Sequence, residues 1–165
     1  MSRLNVLFLC THNSARSILA EALLNHHAGG RVGAFSAGSH PSGQVHPLAL
    51  RALAERGISV EGARSKVWDV FALPEAPRMG VVITVCDGAA GEMCPIWPGA
   101  PLKAHWGVAE PGRLAEGLDD RAALGVFRTT LERLERRVQT FLGLSLETLD
   151  PDALKRELDR IGGMD

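Results

Sequence analysis

A short segment of the chain, from Cys10 to Ser17, combines residue types that suit chemistry on an oxyanion. Cys10 supplies a thiol, and Arg16, six positions later, supplies a planar guanidinium whose paired donors match a tetrahedral oxyanion. A tight loop between a buried strand and a helix start directs successive backbone N–H groups into one concavity, at the positive end of the helix. The segment therefore predicts an anion-binding loop with a cysteine nucleophile. Its candidate oxyanion-binding residues are Thr11, His12, Asn13, Ser14, Ala15, Arg16 and Ser17.

The surroundings of the thiol predict its ionisation. The helix start and the Arg16 guanidinium are expected to lower the pKa of Cys10, so that it is a thiolate near neutral pH. The hydroxyls of Ser14 and Ser17 are placed to donate to the sulfur, and Asn13 is placed to brace the loop. The alternative is a buried cysteine that ends a strand, with Arg16 merely solvated. Because the strand, the loop, the serines and the arginine all lie within one short segment, an anion-binding site is favoured over a buried structural cysteine.

The elements that must hold this loop alternate between short apolar runs and amphipathic stretches. Residues 4–9 predict a buried strand, and residues 17–24 predict the helix that follows the loop. Further strands are predicted over residues 32–36, 80–85 and 101–106.

Three more helices are predicted between and after these strands. They cover residues 47–56, a long central stretch, and a final helix from Asp150 towards Ile161. Strands that alternate with helices imply an α/β fold, a four-stranded parallel sheet with helices on both faces. The apolar positions of the long helix recur at spacings of three and four: Leu124, Phe127, Leu131, Leu134, Val138 and Phe141.

Three chemically active side chains are predicted to meet at one edge of this sheet. Ligands of such sheets bind outside the carboxyl ends of the strands. Cys10 and Cys86 each directly follow a predicted strand, and His105 lies at the end of the fourth. The chain has only three cysteines, so we expect them to be reduced at rest and to act chemically rather than as structural disulfides.

Composition and charge exclude several classes of protein. With 165 residues, 45% apolar and 22% charged, the chain suits one globular domain rather than a disordered tail. The net charge of −1, without a basic cluster, argues against a nucleic-acid partner. No apolar run reaches the length of a membrane span, so no membrane partner is expected. We therefore expect a cytoplasmic protein.

The segment from Cys10 to Ser17, followed by Ala20-Glu21-Ala22, resembles the phosphate loop of the low-molecular-weight protein tyrosine phosphatases. It resembles still more the thioredoxin-coupled arsenate reductases built on that fold. The resemblance covers roughly residues 4–142 and implies the four-stranded parallel sheet predicted above. It also implies that Cys10 is the nucleophile and Arg16 the oxyanion ligand. We expect residues 1–143 to form this phosphatase-like reductase domain, and residues 144–165 to form a helical extension packed on it.

A second segment, from Cys86 to Pro95, resembles the redox segment of the reductases, as does His105-Trp106-Gly107. This implies a relay in which Cys10 attacks arsenic, Cys86 resolves the adduct and Cys94 takes the disulfide. Thioredoxin or another thiol reductant would then restore it. Two other interpretations are an ordinary loop with incidental cysteines and a zinc site with His105. The seven residues between the cysteines fit the usual zinc spacing poorly.

The chain departs from the phosphatases at the position of their general acid. They carry an Asp-Pro there, whereas this chain has Glu110-Pro111. Glu110 is a candidate proton donor with longer reach, although a surface carboxylate before a turn proline would look the same. Tyrosine, which surrounds the phosphatase site, is absent altogether. The alternatives to arsenate reduction are a low-molecular-weight phosphatase and a non-catalytic oxyanion-binding module.

No metal and no cofactor are expected. Some reductases of this family hold a potassium ion beside the loop through Asn, Glu, Ser and Asp side chains. Asn13, Glu21 and Ser36 match three of these positions, but the fourth is Lys66. An ammonium there would repel a cation and could replace it.

Overall fold

The computed structural model describes residues 4–86 and 101–164. It contains strands β1 (Leu4–Leu9), β2 (Val32–Ala37), β3 (Val81–Thr84) and β4 (Leu102–His105). The helices are α1 (Arg16–Ala28), α2 (Pro47–Glu55), α3 (Pro111–Leu114), α4 (Asp120–Leu142) and α5 (Pro151–Gly162), with a 3-10 helix at Trp68–Phe71.

The sheet has the strand order β2-β1-β3-β4, and every pairing is parallel. The predicted α/β fold with a four-stranded parallel sheet is confirmed. In β1, the residues from Val6 to Leu9 have no exposed surface. A continuous apolar run of this kind suits a central parallel strand covered on both faces. Leu9 pairs with Ala37 on one side and with Thr84 on the other, so the chain segments after β1 and β3 leave the sheet side by side.

The long helix α4 supplies much of the apolar packing. Its six predicted core positions are all buried, which confirms the predicted periodicity. Asp119 caps the helix by accepting a hydrogen bond from the Ala122 amide, at 2.8 Å. The helix packs on α1 and α2. Within the described residues, no helix is both long and apolar enough to cross a membrane.

The last helix, α5, covers the β4 edge of the sheet. Its buried side chains are Leu154, Leu158 and Ile161. Trp106, fully buried just after β4, donates from Nε1 to the Leu158 carbonyl at 3.0 Å. The predicted division of the chain at residue 143 stays a prediction.

Candidate active site

The predicted anion loop joins β1 to α1. Cys10 follows β1 directly and is 4% exposed, while Arg16 is the first residue of α1. Ala15 occupies the N-cap position, and its side chain has no oxygen with which to cap the helix. The first N–H groups of α1 therefore remain available to an anion.

Asn13 braces the loop from within. It is fully buried and has a φ of 46°, a left-handed conformation that asparagine tolerates better than most residues. Its Nδ2 donates to Ser17 Oγ at 2.8 Å, and its Oδ1 accepts from the Lys66 amide at 2.7 Å. Ser17 Oγ is the acceptor of Asn13 and keeps its own hydrogen to donate, so the expectation that Ser14 and Ser17 donate to the Cys10 sulfur stays a prediction.

The carbonyl groups of the loop are bonded to the segment that follows β2. The amides of His40, Ser42 and His46 donate to the carbonyls of Thr11, His12 and Ser14 at 2.8, 3.1 and 2.8 Å, respectively. In a planar trans peptide, the N–H points opposite to the carbonyl of the preceding residue. The amides that follow these three carbonyls therefore point away from this segment, as an anion-binding loop requires.

Gly38 makes this close approach possible. A Cβ at residue 38 would lie 2.6 Å from the carbonyl oxygens of both Cys10 and Thr11. Any side chain would therefore push the loop away. Sequence reasoning missed Gly38, because a single glycine at the end of a strand carries no recognisable signal.

The second sulfur lies directly beside the first. Cys86, 3% exposed, is a hydrogen-bond partner of the Cys10 thiol. The Thr11 amide donates to Cys86 Sγ at 3.2 Å. The contact arises because β1 and β3 are adjacent and parallel, so that residues 10 and 86 leave neighbouring strand ends.

The expected lowering of the Cys10 pKa is wrong for this arrangement. The hydrogen bond with Cys86 raises the pKa of Cys10 far above its ordinary value, and burial raises it further. The charge of Arg16 and the His12 amide act in the opposite direction but are outweighed. Ionising both of two buried sulfurs in contact would place two negative charges together, so the charged form of Cys10 is disfavoured. The sequence-based expectation considered Cys10 and Arg16 without this neighbour.

Arg16 is oriented by the opposite side of the cleft. Its Nη1 donates to the Val108 carbonyl at 2.9 Å. A guanidinium has further N–H donors, so Arg16 retains the capacity to bind an oxyanion. Val108 is itself held by its amide, which donates to the Val85 carbonyl at 3.2 Å.

One cleft is lined by part of the predicted site, and the buried Cys10 is not among its lining residues. His105 forms part of the cleft wall. A hydrogen bond of 2.7 Å between His105 Nδ1 and Thr84 Oγ1 holds its ring. Arg113 and Arg133 also line it, two cations that sequence reasoning missed because they lie far from any motif. Predicted site residues in the lining are Thr11, His12, Arg16, Cys86, His105 and Glu110.

Residues 5–159 match the family described as low molecular weight phosphotyrosine protein phosphatase. The chain belongs to this family. It is also 35% identical to the arsenate reductase of Halalkalibacterium halodurans, over 86% of this chain and 96% of that protein.

Two solved structures of the family are similar as well. An arsenate reductase from Archaeoglobus fulgidus has 32% identity and a TM-score of 0.63, covering 84% of this chain and 99% of that one. A thioredoxin-dependent arsenate reductase from Corynebacterium glutamicum has 31% identity and a TM-score of 0.54, covering 83% of this chain and 62% of that one. The predicted family resemblance is confirmed.

Glu110, the candidate acid, lies exposed at the rim of the cleft, before Pro111 begins α3. It lies near His46. Burial lowers the pKa of His46 below its ordinary value, and the charge of Glu110 offsets part of this lowering. Cys94 lies outside the described residues. The catalytic roles assigned to Cys10, Arg16, Cys86, Cys94 and Glu110 stay predictions.

At the position where the resemblance implies a potassium ion in some reductases, this chain has Glu21, Ser36 and Lys66, and the expectation of no metal there stays a prediction. Glu21 accepts from Ser36 Oγ at 2.7 Å, and burial raises the Glu21 pKa while the charge of Lys66 lowers it. Burial lowers the pKa of Lys66, whose Nζ donates to the Arg64 carbonyl at 2.9 Å. The ammonium thus supplies positive charge beside Glu21. Elsewhere within residues 4–86 and 101–164, no cluster of three His, Cys, Asp or Glu side chains could hold a metal ion.

Proposed function

We propose that the protein is an arsenate reductase that converts arsenate to arsenite at Cys10. The observation that carries this is the contact between the Cys10 and Cys86 sulfurs beside a cleft that Arg16 and Cys86 line. Hydrolysis of a phosphoester needs one thiol, whereas reduction of arsenate needs two electrons from a pair of thiols. Curated relatives with this function support the same conclusion.

Arsenate binds to the loop amides and to Arg16, and Cys10 attacks arsenic. A bond forms between sulfur and arsenic, the thiol proton leaves the sulfur, and an arsenate hydroxyl takes up one proton and leaves as water, so that one proton is released for each one taken up. Glu110 at the rim of the cleft is the proposed donor of a proton to that oxygen. The loop amides and the Arg16 guanidinium stabilise the negative charge throughout.

Cys86 then attacks the Cys10 sulfur as a thiolate. The sulfur–arsenic bond breaks, its electron pair stays on arsenic, and arsenite leaves. The two cysteines are oxidised to a Cys10–Cys86 disulfide as arsenic gains two electrons. Since the sulfurs are already in contact, this attack is intramolecular and needs little rearrangement.

The enzyme returns to its starting state by thiol–disulfide exchange. Cys94 attacks the disulfide at Cys86, which frees Cys10 and forms a Cys86–Cys94 disulfide. An external dithiol of the thioredoxin type, or two molecules of another thiol, reduces this bond. A cycle that ends on free thiols requires a reducing compartment, so we place the protein in the cytoplasm.

Single-turnover arsenite release tests this function. Cys94→Ser should release one arsenite per enzyme and stop with Cys10 bonded to Cys86, whereas Cys86→Ser should release none without an added thiol. Disulfides are mapped by mass spectrometry in both variants. If both cycle like the wild type, the relay is wrong.

Hydrolysis of an aryl phosphate is measured in parallel. A wild-type protein that hydrolyses the aryl phosphate but does not reduce arsenate is a phosphatase. One that binds oxyanions without either reaction is a binding module.

A further inference from the structure

The Arg16 guanidinium depends for its orientation on a backbone segment that is far away in sequence. Arg16 Nη1 donates to the carbonyl of Val108, which is 92 residues later. Val108 and Gly107 follow β4 and form the wall of the cleft that faces the anion loop. Whatever holds this segment therefore also holds Arg16.

Arg137 holds the segment from behind. Its side chain is 2% exposed, although it lies on α4, among the core positions of that helix. Its Nη1 donates to the Gly107 carbonyl at 3.1 Å, and its Nη2 donates to the Met164 carbonyl at 2.8 Å. One buried guanidinium thus joins the cleft wall to the end of the C-terminal helix. Burial of such a charge is costly unless it is bonded in this way.

The C-terminal helix reaches the same wall directly. Gly162, the last residue of α5, also lines the cleft. A Cβ at residue 162 would overlap the His105 carbonyl oxygen and lie 3.1 Å from Trp106 Cδ1. The helix therefore approaches the backbone after β4 so closely that only glycine fits. Trp106, bonded to Leu158 O, fixes this approach from the other side.

We propose that Arg137 and the C-terminal helix α5 position Arg16 for oxyanion binding, acting through the backbone of residues 105–108. Neither touches the oxyanion. Both set the place of the Val108 carbonyl, and this carbonyl restricts the Arg16 guanidinium to one orientation. This role rests on the proposed function of Arg16 as the oxyanion ligand.

Two substitutions displace the segment by different means. Gly162→Ala forces α5 away from the His105 carbonyl, and Arg137→Met removes both carbonyl contacts. Each should weaken the protection of Cys10 by inorganic phosphate against alkylation by about tenfold, as the loss of one oriented, charge-assisted contact predicts. The KM for arsenate should rise by a similar factor while kcat changes less. Arg137→Lys, which can still reach one of the carbonyls, should recover part of the affinity.

Matched controls lie next to both positions. Gly163→Ala places a Cβ whose nearest neighbour is the Arg160 carbonyl oxygen, at an ordinary 3.5 Å. Arg136→Met removes a cation that is exposed on the same helix as Arg137. Both controls should keep phosphate protection within about twofold of the wild type.

A double-mutant cycle with Arg16→Lys separates positioning from a general loss of structure. If α5 acts through Arg16, Gly162→Ala should cause no further loss of phosphate protection in the Arg16→Lys background. Losses that simply add would overturn the proposal, and so would unchanged protection in folded Gly162→Ala and Arg137→Met. Phosphate protection needs no turnover. A wild type that binds phosphate but does not reduce arsenate therefore refutes the proposed function, not the positioning.

Discussion

The two sides of the cleft are built in different ways. The loop side is one continuous stretch, residues 10–17, whose carbonyls are bonded to the segment after β2. The opposite side comes from the ends of β3 and β4 and is held from behind by α4 and α5. The donors of the loop are consecutive in the chain, because adjacent amides and a helix start need only local geometry, although contacts with residues 38–46 and Lys66 hold the loop in shape. The second sulfur and the orientation of Arg16 need distant elements.

Because the loop amides bind the oxyanion and the sulfurs reduce it, we expect that one substitution can abolish arsenate reduction and leave oxyanion binding intact. Cys10→Ser should abolish arsenate reduction, because an alcohol is not an ionised nucleophile near neutral pH. Phosphate binding should persist, since the loop amides and Arg16 remain. Arsenite release and calorimetric titration with phosphate measure the two properties. Retained arsenate turnover would remove Cys10 from the mechanism.

The loop side should be the more sensitive of the two to a backbone shift. Gly38→Ala places a methyl group against the carbonyls of Cys10 and Thr11. It should reduce kcat/KM for arsenate by about 100-fold, because displacement of reacting groups by about 1 Å has such effects.

Gly125→Ala is the control for this substitution. Gly125 lies on α4, and nothing lies within 4 Å of a Cβ placed there. This variant should keep full activity and be slightly more stable, because alanine favours a helix. Equal activity of the two variants would show that the loop tolerates movement.

The opposite side should control the ionisation of the thiol. Cys86→Ala removes the largest cause of the raised Cys10 pKa and leaves the lowering effect of Arg16 in place. The pH profile of Cys10 alkylation should therefore move to lower pH by at least about one unit. The rate is followed at Cys10 by mass spectrometry. A profile that stays in place, or moves upward, would contradict the close sulfur contact.

The smallest effect is expected behind the loop side, at Lys66. Its charge lowers a Glu21 pKa that burial raises, so Lys66→Met should raise that pKa further. A carboxyl whose folded pKa exceeds its unfolded pKa binds more protons when folded, so stability falls as pH rises between the two. The free energy of unfolding that Lys66→Met loses relative to the wild type should thus be larger at about pH 8 than at about pH 4. Urea unfolding measures it at both pH values.

Lys103→Met provides the comparison for Lys66→Met, since Lys103 is exposed on β4. It should show no pH-dependent deficit. A Lys66→Met deficit of equal size at both pH values would show that its ammonium does not act on Glu21.

The sequence by itself determined the parts that depend on local spacing. The anion loop was predictable because its donors are consecutive, and the core face of α4 because a helix repeats every three or four residues. Alternation of strands and helices determined the parallel sheet and brought Cys10 and Cys86 to the same edge.

Only the tertiary structure decided how these groups act on one another. The raised pKa of Cys10, the Arg16–Val108 bond and the buried Arg137 all depend on contacts between residues far apart in the chain. Coulombic effects, desolvation and hydrogen bonds fall off over a few ångströms of space, and distance along the chain does not measure that space. Cys86, which is 76 positions away in the chain, can therefore determine the protonation of a nucleophile whose own motif predicts the opposite.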